Sequence, residues 1–159
     1  MELISKLTRG INIFLLFFIV WASYEVFADN IKINKIINLN SPWGFTFLNE
    51  YQILITEKQG KIKLINLSTL KIKDVKHNLN VVSKGQGGLL DIINKDGIVW
   101  VSYSENRGSS KTSTSIARAD FNEDEMIFNN IFQANPPINS GYHFGSRIVI
   151  SDNYLYASI

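Results

Sequence analysis

After residue 40, apolar and polar residues alternate with a period near two, and polar turn residues punctuate the alternation. Trp43-Gly44-Phe45-Thr46-Phe47-Leu48 leads to a turn at Asn49-Glu50 and then to Tyr51-Gln52-Ile53-Leu54-Ile55-Thr56. Gly88-Leu89-Leu90-Asp91-Ile92-Ile93 leads to Asn94-Lys95-Asp96-Gly97 and then to Ile98-Val99-Trp100-Val101-Ser102-Tyr103. Gly145-Ser146-Arg147-Ile148-Val149-Ile150 leads to Ser151-Asp152-Asn153 and then to Tyr154-Leu155-Tyr156-Ala157. Each time a glycine opens a β-rich run, a turn follows and a second run answers, which is the signal of a β-hairpin. The glycines are spaced 44 and 57 residues apart. Each interval holds a further pair of runs: 61–65 with 70–73, and 114–119 with 126–128. After residue 28 no stretch long enough for a helix shows apolar residues spaced three and four apart. Four strands per period of about 40 to 50 residues is the pattern of a β-propeller. The expected fold is therefore all-β: a partial β-propeller of about two to three four-stranded blades, with Gly44, Gly88 and Gly145 at equivalent positions. An ordinary antiparallel sandwich accommodates the strands but leaves the repeat unexplained.

The first 28 residues follow another pattern. Lys6 and Arg9 form a basic segment, Ile11 to Ala22 is apolar apart from Asn12, and Val26-Phe27-Ala28 presents small residues before Asp29. This is the arrangement of a secretory signal peptide. The apolar run is short beside the roughly 20 residues that span a bilayer, although an uncleaved signal anchor uses the same elements. Residues 1–28 are thus expected to be removed, leaving 29–159 as the propeller part, periplasmic or secreted and without stable membrane insertion. There are no cysteines, which excludes disulfides and thiolate metal sites. The net charge of +2 is small and the lysines are spread along the runs, so nucleic acid is not an expected partner.

Two glycine-bracketed polar clusters stand out, Gly85-Gln86-Gly87-Gly88 and Gly141-Tyr142-His143-Phe144-Gly145-Ser146-Arg147. Each opens into a strand, where β proteins display side chains for chemistry on loops held by a rigid sheet. An imidazole, with an ordinary pKa of about 6.5, is the default proton acceptor near neutral pH, although His143 serves equally well as a turn cap. Asp91 reads as an inter-strand or turn hydrogen-bonding group, Glu57 as a salt-bridge partner, and His77 as a surface residue. Trp43, Phe45 and Phe47 alternate and read as a packed face between blades.

Pro42-Trp43-Gly44-Phe45-Thr46-Phe47-Leu48, Ile55 to Gly60, Gly85 to Asp91, Val101-Ser102-Tyr103-Ser104 and His143 to Arg147 occur in one order. Together they resemble the glucose/sorbosone dehydrogenase family, in particular its periplasmic aldose sugar dehydrogenase branch. The resemblance implies a six-bladed propeller that carries pyrroloquinoline quinone (PQQ) and calcium and oxidises the anomeric hydroxyl of aldoses. An external electron acceptor would reoxidise the quinone. It implies His143 as catalytic base, and Gln86 and Arg147 as cofactor-site residues, with Arg147 also suited to holding the His143 turn through carbonyls. The matched part is the family's N-terminal region. Calcium ligands and further basic residues would lie on later blades, so no metal ligand is expected here and the chain alone would be inactive. A non-catalytic propeller used for binding, or a decayed gene fragment, would carry the same motifs.

Overall fold

The computed structural model describes residues 32–159, so the signal-peptide expectation for residues 1–28 lies outside the described part. Residues 36–159 form one compact unit that is all strand and loop, with no helix among the described residues. The first sheet, blade 1, runs in sequence order through β1 (Pro42–Asn49), β2 (Gln52–Glu57), β3 (Lys61–Asn66) and β4 (Ile72–His77). Blade 2 is formed by β5 (Leu89–Lys95), β6 (Ile98–Asn106), β7 (Thr112–Asp120) and β9 (Asn129–Gln133). A third sheet contains the hairpin β10 (Ile148–Ser151) and β11 (Tyr154–Ala157). Neighbouring strands in all three are antiparallel, apart from the short β8 (Glu125–Met126), which adds to β4 in parallel. The described residues form two propeller blades and the inner hairpin of a third sheet.

The turns follow from their residues. Lys95 pairs with Ile98 across Asp96-Gly97, and Ser151 pairs with Tyr154 across Asp152-Asn153. All four central residues have positive φ, as a two-residue type I′ turn requires, and Asp, Asn and Gly are the residues that tolerate it. At the β1–β2 turn, Asn49 Oδ1 accepts the Tyr51 N–H at 2.9 Å.

The core lies between the two blades. Leu54, Ile62, Leu64 and Val75 of blade 1 pack with Ile92, Val99, Val101, Ala117 and Ala119 of blade 2, all buried. Each of these strands turns alternate residues to that interface, which is the period of two read from the sequence.

Three details differ from the sequence-based expectation. The segments opening at Gly44, Gly88 and Gly145 are equivalent strands, but the glycines are not equivalent positions. In β1 a bulge lies between the pairs Pro42–Glu57 and Phe45–Ile55, and in β5 between Leu89–Tyr103 and Ile92–Val101. Gly44 therefore corresponds to Asp91 and, with Phe45, Ile92 and Ile148 in register, to Arg147. Hairpin signals locate runs to within a few residues, whereas the bulge, set by inter-blade contacts, fixes the register. Second, the last strand of blade 2 is Asn129–Gln133 rather than 126–128. Met126 and Phe128 are drawn into the core, and the Asn78 side chain brackets Phe128 by accepting its N–H at 2.8 Å and donating to its carbonyl at 3.0 Å. Third, Trp43, Phe45 and Phe47 do not pack between blades here: Phe45 and Phe47 are 61% and 57% exposed. They occupy the face of β1 turned away from blade 2.

Candidate functional site

The two glycine-rich clusters come together at one edge of the blades. Loop 84–88 is held on β6, where Ser104 Oγ donates to the Val82 carbonyl at 2.6 Å and Ser104 N–H to the Gly88 carbonyl at 2.9 Å. Gln86 N–H donates to the Gly141 carbonyl at 2.7 Å, and the Gln86 side-chain oxygen accepts the His143 N–H at 3.0 Å. Gly85 is required at this crossing: its φ is 59° and a Cβ there would strike the Gly141 carbonyl. Lys58 Nζ donates to the Gly85 carbonyl, and the Lys58 carbonyl accepts the Leu89 N–H at 3.0 Å, so the β2–β3 turn braces the same loop.

The second loop carries unusual backbone. His143, Gly145 and Ser146 have φ of 62°, 61° and 142°. Positive φ in a histidine costs energy and persists only where the surroundings enforce it. Here the buried Phe144 supplies the anchor, and its carbonyl accepts Thr114 Oγ1–H at 2.8 Å. The resulting turn presents His143 and Tyr142 outward, both exposed, with their rings 6.5 Å apart.

Arg147 is placed differently from Gln86 and His143. Its guanidinium donates to Asp91 Oδ1 at 3.1 Å rather than to carbonyls, while the second Asp91 oxygen accepts the Ile148 N–H at 3.0 Å. Asp91 is buried, and the Arg147 side chain is 71% exposed. A buried carboxylate that receives a charged donor and a backbone N–H is compensated, and losing either partner would leave it isolated. Asp91 thus makes the inter-strand hydrogen bonds expected of it and fixes the base of the His143 loop.

Of the other candidates, Glu57 is buried, accepts the Asn40 N–H at 2.7 Å and lies 3.8 Å from Lys63 Nζ, in line with the reading as a salt-bridge partner. His77 is not a free surface residue. It is half-buried, with Nε2 2.9 Å from the Gly60 carbonyl and Nδ1 accepting the Leu79 N–H at 3.2 Å. These partners select the neutral Nε2–H tautomer, and burial pushes its pKa below the ordinary histidine value, against the smaller opposing effect of the Gly60 carbonyl. The polar neighbours of His77 hid this, because its burial comes from Phe128, about 50 residues on. Lys58 and the inter-blade hydroxyls Thr56 and Ser102 lie within the motif segments but received no role of their own from the sequence, since a lone lysine or hydroxyl carries no local signal.

Among the described residues, no three of His, Cys, Asp and Glu are grouped so as to hold a metal ion.

The "Glucose / Sorbosone dehydrogenase" family profile matches residues 39–159. Aldose sugar dehydrogenase YliI of Escherichia coli K12 is 28% identical over 131 residues, covering 76% of this chain and 35% of that protein. The crystal structure of the soluble aldose sugar dehydrogenase from Escherichia coli in its apo-form superposes with a TM-score of 0.65 at 27% identity, covering 70% of this chain and 35% of that one. The PQQ-bound form of the aldose sugar dehydrogenase from Streptomyces coelicolor is alike in fold, with a TM-score of 0.67 at 23% identity over 79% of this chain and 40% of that one. The chain spans about a third of the length of the curated relatives it matches. With ordered motifs, two blades and a matching profile over 39–159, the chain belongs to the glucose/sorbosone dehydrogenase family.

Proposed function

We propose that this chain supplies part of the active site of a PQQ-dependent aldose dehydrogenase, which oxidises the anomeric hydroxyl of a sugar to the lactone. The observation that carries the reading is the hydrogen bond from His143 N–H to the Gln86 side chain. It locks together two loops from successive sheets and sets an imidazole and an amide at one exposed edge. The family membership and the sugar dehydrogenases among the relatives support it.

The donors at this edge suit a planar quinone bearing carboxylates. Gln86 offers a neutral amide that donates and accepts without adding charge. Arg147 offers a planar fork of five N–H donors, of which Asp91 engages one end. These two residues would hold the cofactor. When bound, PQQ supplies the acceptor for the two electrons that leave C1 as hydride. His143 would take the proton of the C1 hydroxyl onto a ring nitrogen as the C1–O1 bond becomes a carbonyl, and its exposure lets that proton pass to water. The described residues do not fit calcium, and no step is assigned to it. Residues 1–28 act as a signal peptide in this reading and 29–159 as the N-terminal part of the propeller, exported to the periplasm or beyond. No helix among the described residues is long and apolar enough to cross a membrane.

The test replaces the matching segment of the Escherichia coli relative with residues 39–159, so that the remaining length is supplied. With PQQ and calcium, the chimera should reduce an artificial acceptor when given aldoses. His143→Ala should lower turnover by about 10²–10⁴-fold, the usual contribution of a general base, while leaving PQQ binding in place. Unchanged turnover in that variant would overturn the assignment.

A further inference from the structure

The peptide plane between Gly85 and Gln86 is held at both of its ends by other elements. Its carbonyl, that of Gly85, accepts the Lys58 ammonium from the β2–β3 turn of blade 1. Its N–H, that of Gln86, donates at 2.7 Å to the Gly141 carbonyl, in the loop that leads to His143. A peptide unit is planar, so fixing both ends fixes the direction in which the Gln86 side chain leaves. The ammonium, the peptide and the Gly141 carbonyl lie in series, and each hydrogen bond in such a series polarises the next.

Three glycines flank Gln86, and each presses on a different element. A Cβ on Gly85 would strike the Gly141 carbonyl, one on Gly87 the Ser104 hydroxyl and the Phe144 ring, and one on Gly88 the Lys58 carbonyl. These contacts set where the loop passes but not how its peptides are turned. Gly85 has φ of 59°, and glycine occupies both halves of φ space at little cost, so the adjoining plane is free to rotate unless something holds it. Reversing the plane would take the Gln86 N–H off Gly141 and carry the Gln86 side-chain oxygen away from the His143 N–H, which it accepts at 3.0 Å. The Lys58 charge opposes this, because the reversed plane would turn an N–H toward an ammonium. Lys58 is half-buried, and its neighbour Glu57 is turned to other groups, accepting the Asn40 N–H and lying 3.8 Å from Lys63 Nζ. The adjacent carboxylate therefore does not draw the ammonium off Gly85.

We propose that Lys58 is a positioning residue for the site: its ammonium locks the Gly85–Gln86 peptide in the orientation that aims the Gln86 amide at the His143 turn. In this role it acts through Gln86 and not on the sugar or the cofactor. The catalytic consequence rests on the reading of Gln86 and His143 as site residues, whereas the lock on the peptide does not. Arginine keeps a charged N–H donor on a long stem, and methionine keeps the stem and loses the donor.

Two measurements test it. In the whole chain, amide hydrogen exchange followed by NMR reads the lock without any turnover. Lys58→Met should lower the protection of the Gln86 N–H by about tenfold or more, as loss of a hydrogen bond from a charged group allows. The Val82 N–H, which donates to the Ser104 carbonyl at 2.9 Å, should keep its protection, and so should Val99 and Val101 in the central strand β6. Lys58→Arg should restore the protection of Gln86. In the chimera with the Escherichia coli relative, Lys58→Met should lower kcat/KM for aldoses by about 10–10²-fold, the cost of a displaced site group, and Lys58→Arg should recover most of it. In a Gln86→Ala background the same substitution should change kcat/KM by less than about twofold, because residues that act through one another are not additive. Additive costs, no rescue by arginine, or unchanged Gln86 exchange in Lys58→Met would each overturn the proposal. So would a loss of protection shared equally by β6, which would make Lys58 a general support of the fold. A chimera that oxidises no aldose overturns the functional reading instead, and the exchange measurement then decides on Lys58.

Discussion

At the scale of single residues, the two histidines exchange the characters that their surroundings suggest. His143 sits in a named motif and is exposed, while His77 sits in an unremarkable polar stretch and is held by two backbone partners. Protonating His77 would place a proton on Nδ1 against the Leu79 N–H, so the folded state favours the neutral ring. Its folded pKa lies below 6.5, and the unfolded chain therefore takes up the proton first as pH falls. The stability it contributes is fully present above 6.5 and declines as pH drops from there through the lowered folded value. Denaturant midpoints measured between about pH 7 and pH 5 should fall in the natural chain and fall less in His77→Gln. Equal slopes in the two proteins would contradict the assignment. Glu105 acts in a lower window. Burial raises its pKa, but hydrogen bonds from Ser115, Gln133 and Asn130, with Arg107 nearby, outweigh that and leave it below the ordinary value of 4.5.

At the scale of elements, strands are joined within a blade by backbone pairing, but blades are joined by side chains. Thr56 shows the difference. Its hydroxyl is fully buried and serves Gly44 and Leu90, so Thr56→Val removes both hydrogen bonds while keeping the shape. The buried N–H and carbonyl left behind should make the change cost about 1–3 kcal/mol in chemical denaturation. Ser102→Ala should cost a similar amount, since Asp91 N–H and the Ser146 carbonyl lose the same service. A loss near zero in both variants would mean that apolar packing alone sets the blade register. The hydroxyl also fits the bulges, because the residue it captures is one of the two left out of the β1–β2 and β5–β6 ladders opposite it.

At the scale of the whole molecule, the single core between blades 1 and 2 makes their stabilities inseparable. Leu54 is fully buried among residues of both sheets. Leu54→Ala should cost about 2–5 kcal/mol and lower hydrogen-exchange protection in β2 and β6 together. Loss of protection confined to blade 1 would show that the blades open independently. The same geometry positions the site. Gln86 precedes the first strand of blade 2 and His143 the first strand of the next sheet, so blade stacking sets the distance between them.

The sequence by itself determined the strand content, the repeat and the motifs that mark the family, because alternation and turn chemistry are local and survive in any tertiary setting. Asp96-Gly97 and Asp152-Asn153 specify their turns without help from the rest of the chain. Tertiary structure alone decided the register of the repeat, which depends on where the Thr56, Ser102 and Ser158 hydroxyls capture a backbone N–H. It also decided that Met126 joins the edge of blade 1 as β8 and that Phe128 enters the core, instead of both forming the last strand of blade 2, since Asn78, 50 residues away, holds Phe128 there. The pairing of Gln86 with His143, 57 residues apart, belongs to the same class. Each is a contact across blades, where the free energy of burying or hydrogen-bonding a group depends on a partner that no local pattern names.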